Sequence, residues 1–373
     1  MYEKCMNADR TSTTYGTTLE TTPSAGMFTV TEWITDGHDK FVRNDEDPLV
    51  KEGYIKLDSV TRRYISQNAT REEMFFKGEL DNHSLTGETY VQYKNDPRAY
   101  PMLSPNVWGY FVNGASKNPI MQNKDFRNAL YYGTPRESIA EDVYKLYPAA
   151  PYIVASGIYV GDPISGGEYY RDTPEAKAIT EKYATNPEKA KELFDKAYEA
   201  NGGTPVSIEY IYFEGQEDQK RQAEILQETF ENLFGKDRFT MTLRAMPPSA
   251  AYDVYRSGDY DLGLGVRLAN VFNPWTTMNV WTSNYADKYI TGFESEEFDK
   301  LQFDCVYGEL VNDQAGRVKA LARMEELLLD YGAFVPVMQN DNTVMYNDRI
   351  TLPTSEYLPF VGYGQDQCDI TAP

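Results

Sequence analysis

Asp259–Asp299, DYDLGLGVRLANVFNPWTTMNVWTSNYADKYITGFESEEFD, is the stretch on which the reading of this chain turns. Its opening, Tyr260–Val266, is a short apolar run of strand length. A long segment with one proline, two tryptophans and several asparagines comes next. Glu294–Asp299 then opens a helix, with acidic residues in the turn where the helix dipole favours them. Strand, long aromatic loop and helix is how α/β proteins build ligand clefts at the carboxyl ends of strands. Loops this long inside a compact domain usually carry function. The stretch therefore predicts a binding site, with the rest of the chain as its scaffold.

Upstream, Val206–Phe213 reads as a strand and Glu217–Phe234 as a long amphipathic helix stopped by Gly235. Phe239–Ala245, Ser249–Ser257 and Asp261–Val266 continue as strand, helix and strand. That alternation predicts parallel pairing through crossover helices. Downstream, Ser295–Tyr307 and Asn312–Tyr331 read as helices, and Val335–Met338 and Thr343–Tyr346 as late strands. Val107–Asn113 is a further strand, followed by helices over Asn123–Tyr132 and Arg136–Tyr147 and a loop over residues 148–170. Asn186-Pro187 marks a helix start, with Asn as cap and Pro at the first helical position. Nearer the amino end, Met27–Trp33 alternates like a half-buried strand, with His38–Arg43 as its partner. Tyr54–Ile65 reads as a strand-pair region and Ala69–Gly78 as a short helix capped by Asn68.

The chain has 373 residues, more than one core normally serves, which predicts two lobes. Its net charge of −21 argues against nucleic acid and anionic membranes as partners. Thirty tyrosines point toward a binding surface, since tyrosine offers rigid contact area with a polar tip. Cys5, Cys305 and Cys368 have no metal-like or redox spacing. Two histidines, His38 and His83, and the absence of HExxH, CxxC and Walker-type patterns leave no metal, cofactor or nucleotide site to propose. Gly263-Leu-Gly265 follows a strand, but Leu268 breaks the dinucleotide fingerprint. No nucleophile elbow is present. The run YEKCMNADRTSTT after Met1 does not read as a secretory leader and, taken alone, implies the cytoplasm.

Several segments, in order, resemble the bacterial extracellular solute-binding proteins of the oligopeptide-binding type (family 5). Ser24–Trp33 is similar to the family's opening strand, and Phe75–Asp81 (FFKGELD) to its "GELD" helix end. Residues 118–137 (NPIMQNKDFRNALYYGTPRE) look like its central helix, and Tyr260–Asp299 like its binding-loop block. Leu358–Gly364 (LPFVGYG) resembles the segment that crosses back between lobes. The resemblance implies an α/β, two-lobe periplasmic-binding-protein-like fold of the class II (cluster C) type. It covers the later part of the family pattern, so lobe one is expected to be incomplete at its amino end. Residues 1–106 with 363–373 are the expected remainder of lobe one, and 107–362 lobe two, with crossings near Pro105 and Leu358. The implied function is the solute-binding component of an ABC importer, a monomer without cofactor that takes an oligopeptide or similar small solute between its lobes. Its partners would be permease and ATPase subunits, and its place the outer face of the cell membrane.

The resemblance also implies site residues. The strand end Leu264, Gly265 and Val266 would approach the ligand backbone, as peptide ligands pair with strand edges. Asn270 stands where the family has an acid that holds the ligand's ammonium, and Leu264 where it has an arginine. Both departures leave room for a neutral ligand, such as a blocked peptide or a saccharide. Arg267 could meet a ligand carboxylate or form a surface ion pair. Trp275 and Trp281 would line the cleft or pack the lobe, Tyr363 would face ligand, and Tyr110 and Trp108 would face cleft or core. Two alternatives remain open. The first is a carbohydrate-active hydrolase using paired carboxylates of the Glu294, Glu296 and Glu297 cluster. The second is a non-functional gene fragment.

Overall fold

The computed structural model describes residues 2–23, 26–35, 37–65, 67–161, 167–266, 273–358 and 362–371. The chain divides into two compact units. The first comprises Met1–Leu85, Asn95–Pro101 and Thr343–Pro373, the second Thr86–Lys94 and Met102–Asn342. These boundaries differ from the expected lobes in three places, the first being residues 102–106, which belong to the second unit. Residues 343–362 belong to the first unit, because the strand Asn342–Tyr346 pairs antiparallel with Asn82–Ser84, Tyr346 opposite Asn82. Residues 86–94, a helix over Gly87–Tyr93 capped by Thr86, belong to the second.

The second unit is built on a five-stranded sheet. Its strands are β1 (Val107–Val112), β2 (Val206–Phe213), β3 (Phe239–Met246), β4 (Leu262–Val266) and β5 (Phe334–Gln339), in the spatial order β3-β2-β4-β1-β5. β3, β2 and β4 are mutually parallel, as the strand–helix alternation predicted. β1 runs antiparallel to both its neighbours. β5 is an edge strand, which is where Pro336 is tolerated. Its outer side is covered by residues 148–150 through Gln339 N–H to Pro148 O and Ala150 N–H to Val337 O, both 2.9 Å.

Helices α1 (Lys124–Gly133), α2 (Pro187–Ala200), α3 (Glu217–Phe234), α4 (Pro248–Ser257), α5 (Pro274–Asn279), α6 (Glu296–Val306) and α7 (Gln314–Tyr331) cover the sheet. Side-chain caps fix the starts of α1, α2, α6 and α7. Asn123 accepts from Asp125 and Phe126 N–H, Asn186 from Lys189 N–H, Ser295 from Phe298 N–H and Asp313 from Gly316 N–H. α3 buries Ala223, Leu226, Phe230 and Phe234, a single face at helical spacing. Phe234 stacks on Phe194 with centroids 4.2 Å apart, and Phe239 meets both edge-on. Each buried Phe in this cluster contributes about 1.5–3 kcal/mol.

On the opposite side of β4 the glycines matter. A Cβ on Gly263 would lie 2.2 Å from the Tyr255 ring and one on Gly265 2.7 Å from Phe111, so aromatic rings seat directly on the strand.

In the first unit, Phe28–Ile34, His38–Arg43 and Ser59–Arg63 form an antiparallel three-stranded sheet. Tyr54–Ile65 therefore supplies one strand rather than two. In the second unit, Arg136–Tyr147 is not one α-helix either. A single turn, Arg136–Ser138, passes into a π-helical segment, Ile139–Tyr144. Buried Arg136 holds this bend, donating to the carbonyls of Pro336 at 2.7 Å and Tyr131 at 3.0 Å. Residues 148–170 carry a short strand pair, Tyr159–Val160 with Glu168–Tyr169. The helix Asn68–Phe76 begins one residue earlier than expected, with Gln67 at the cap position.

Candidate functional site

β2, β3, β4 and β5 end on one edge of the second unit's sheet, and β1 starts there. Val266 and Met338 are both in register with Trp108. This carboxyl edge is where α/β sheets place ligands. A cavity of about 200 Å³ opens at it, walled by Trp108 and Met338 from the sheet, by Tyr144 and Tyr147, and by Asp218 and Gln219 from the first turn of α3. The π-helical segment swings Tyr144 toward α3, where its hydroxyl donates to Gln222 Oε1 at 2.9 Å. The Trp108 ring meets Phe213 edge-on at 6.5 Å, which fixes its position at the strand end.

The electrostatics of the cavity are acidic. Burial, followed by the nearby Asp218 charge, pushes the Tyr144 and Tyr147 hydroxyls above their ordinary range. Burial, followed by the Glu217 charge, raises the Asp218 carboxyl from its ordinary value, and Lys145 works weakly against this. The Lys145 ammonium is itself paired with Glu88. Gln219 Oε1 is buried and accepts no hydrogen bond. Aromatic faces, one carboxylate and an unpartnered carbonyl oxygen therefore converge on a space the size of one side chain, below the ~300 Å³ at which whole-ligand pockets begin.

Only part of the site expected from the sequence comes together at this edge. Leu264, Gly265 and Val266 form the buried end of β4, with Leu264 opposite Tyr110, Gly265 opposite Gly109 and Val266 opposite Trp108. Tyr110 is fully buried in the core, its hydroxyl 2.8 Å from Thr134 Oγ1. It stands one pleat behind Trp108 on the same face, so Trp108 reaches the cavity and Tyr110 does not. Trp275, the second residue of α5, carries the Arg317 guanidinium over its ring at 4.1 Å and does not line the cavity. Trp281 packs against Phe111 and Phe334 in the core. Tyr363 lies in the first unit, buried, donating to Pro101 O at 2.7 Å and edge-on to Tyr100. Arg267 and Asn270 lie outside the described residues.

Asp218, Gln219, Tyr144 and Tyr147 do not stand out in the sequence. Asp218 reads as an ordinary first-turn acid, and the one available signal is the cluster Tyr144, Tyr147 and Tyr152 in a Pro-rich stretch.

The carboxylate cluster at the start of α6 is structural. Arg323 grips Glu297 with two bonds, at 2.7 and 3.1 Å, and Glu294 pairs with Lys288 at 3.3 Å. Among the described residues no group of His, Cys, Asp and Glu is arranged to hold a metal ion. The three cysteines are unpaired thiols, and no helix of the described residues is long and apolar enough to cross a membrane. A larger cavity, about 640 Å³, lies within the first unit among Arg62, Arg71, His83, Tyr346 and Cys368. Burial, then the Arg71 charge, lowers the His83 pKa, so the ring is neutral there.

Comparison with known proteins places this geometry. The profile of the bacterial extracellular solute-binding proteins, family 5 Middle, matches residues 2–289. The dipeptide-binding protein DppE of Bacillus subtilis is 23% identical over 328 residues, 87% of this chain and 56% of that protein. The chain thus spans just over half the length of that relative. The substrate-binding domain of an oligopeptide ABC transporter from Bacillus anthracis superposes with a TM-score of 0.76 at 20% identity, over 98% of this chain and 69% of that one. Listeria monocytogenes OppA bound to peptide gives 0.74 at 18% identity, over 96% and 67%. The fold is therefore the α/β, two-lobe type of periplasmic binding proteins, and the chain belongs to the family 5 bacterial extracellular solute-binding proteins.

Proposed function

We propose that this chain captures short peptides for an ABC importer at the outer face of the cell membrane, acting by binding and without a catalytic step. One observation carries the reading: in a chain of the solute-binding family, a side-chain-sized aromatic cavity sits at the carboxyl edge of the sheet, beside the strand ends. Strand ends suit peptide backbones, because main-chain hydrogen bonds give affinity while pockets take alternate side chains. The named relatives, a dipeptide-binding protein and a peptide-bound OppA, are in keeping with a peptide ligand. Permease and ATPase subunits are the partners this role requires. The carbohydrate-hydrolase reading loses its support, since Glu294 and Glu297 are engaged in ion pairs.

Trp108 provides the test. Titration of the chain with defined tripeptides should change its tryptophan emission saturably, and Trp108→Phe should remove most of that change. A flat response to every peptide, with the chain folded by circular dichroism, would overturn the reading.

A further inference from the structure

The cavity at Trp108 has a chemical bias, and its meaning for a ligand rests on the peptide-binding reading. Its lining includes the Asp218 carboxylate and the Gln219 side-chain oxygen, beside the polar Thr86, Gln216 and Asn340. Asp218 makes no ion pair or hydrogen bond with the described residues, though it lies near the Tyr144 and Tyr147 hydroxyls. Gln219 Oε1 is buried with no donor. The nearest cation, Lys145, is held by Glu88. Trp108, Tyr144 and Tyr147 add ring faces, which attract ammonium and guanidinium groups through their quadrupoles. The amino end of α3 opposes a cation with about half a positive charge, but Glu217 and Asp218 place two full negative charges in the same turn. That balance also rules against an anion, which a helix amino end would otherwise favour.

We infer that this cavity is a cation subsite: Asp218 and Gln219, walled by Trp108, Tyr144 and Tyr147, hold an ammonium or guanidinium group of the bound peptide. The space admits one such group on its stem, with the charge at Asp218 and the methylenes against Met338 and the rings. The residue positions are independent of the loop that contains Asn270.

The experiment is isothermal titration calorimetry at neutral pH with four tripeptides: Ala-Lys-Ala and Ala-norleucine-Ala, each with a free or an acetylated amino end. The native chain should bind the lysine peptides about tenfold more tightly than the norleucine ones, the size of a charge-assisted bond. Asp218→Asn should erase that preference, bringing the lysine peptides to the affinity of the norleucine ones. Glu217→Gln, which alters the same turn outside the cavity, should preserve it. A preference that tracks acetylation instead of lysine, and is likewise erased by Asp218→Asn, would assign the subsite to the peptide's terminal ammonium. Equal binding of all four peptides by the native chain would overturn the subsite and leave peptide capture standing. Binding of none of them would overturn both.

Discussion

Replacing Glu325 with glutamine should strip the second unit of a large part of its stability. Glu325 sits on α7, fully buried. Its Oε1 accepts the N–H groups of Ile153 and Val154 at 2.8 and 2.9 Å, and its Oε2 accepts the Tyr170 hydroxyl at 3.1 Å and the Arg171 guanidinium. One side chain thereby anchors the 150s segment and a buried arginine. Glutamine keeps the size and one acceptor oxygen, but it turns an N–H₂ group toward donors and removes the charge that Arg171 needs. Arg171 is poorly placed to compensate: its Nε and Nη1 already lack partners, and it lies over the Tyr152 and Tyr170 rings at 4.4 and 4.6 Å. Breaking one side of a buried pair costs about 3–5 kcal/mol. For a unit of this size that lowers Tm by roughly 10 °C, at about 2–4 °C per kcal/mol. Urea unfolding followed by tryptophan emission reads it well, because Trp108, Trp275 and Trp281 lie in the second unit and only Trp33 lies in the first. Glu325→Met combined with Arg171→Met should recover only the part of the loss that comes from the uncompensated charge, because the Ile153 and Val154 N–H groups and the Tyr170 hydroxyl stay without their acceptor. A Glu325→Gln loss below about 1 kcal/mol would refute this account of the network.

The same packing sets four further outcomes. Tyr110→Phe removes one hydroxyl bond to Thr134 and should cost about 1 kcal/mol in denaturant unfolding while leaving peptide affinity unchanged, because the residue is core. Gly263→Ala forces a methyl group into the Tyr255 ring and should cost about 1–3 kcal/mol by the same assay, with no change in the cysteine accessibility of the first unit. Phe234→Ala opens a hole in the stacked Phe194 and Phe239 cluster and should cost about 3–5 kcal/mol. Acidification should weaken the lysine preference of the Trp108 cavity. The Asp218 pKa is raised by burial, so the carboxylate is lost at a higher pH than an ordinary aspartate, and the preference should disappear as pH falls through that raised value.

How far the sequence could be read depended on how local each signal was. Val206–Phe213 and Glu217–Phe234 matched their expected bounds, because a continuous apolar run and a 3.6-residue stripe ending in Gly235 depend only on neighbours. The parallel order of β2, β3 and β4 was legible in their alternation with helices. The unit boundary was misplaced because Thr343–Tyr346 carries no local sign of its partner. Its pairing with Asn82–Ser84 is a contact across more than half the chain. The bend after Arg136 was hidden for the same reason, since it is held by the carbonyl of Pro336. The strand Leu262–Val266 was legible in its apolar run. Asp218 and Gln219 were passed over, because a first-turn acid has a sufficient explanation in the helix dipole until Trp108 and Tyr147 are seen beside it.

The most direct test of the central claim is native mass spectrometry of the chain purified from the cells that make it. Peptide capture predicts a population heavier than the bare chain, whose extra mass separates on denaturation into short peptides, enriched in lysine or arginine. A bare chain that also takes up nothing from an added tripeptide pool would contradict the claim.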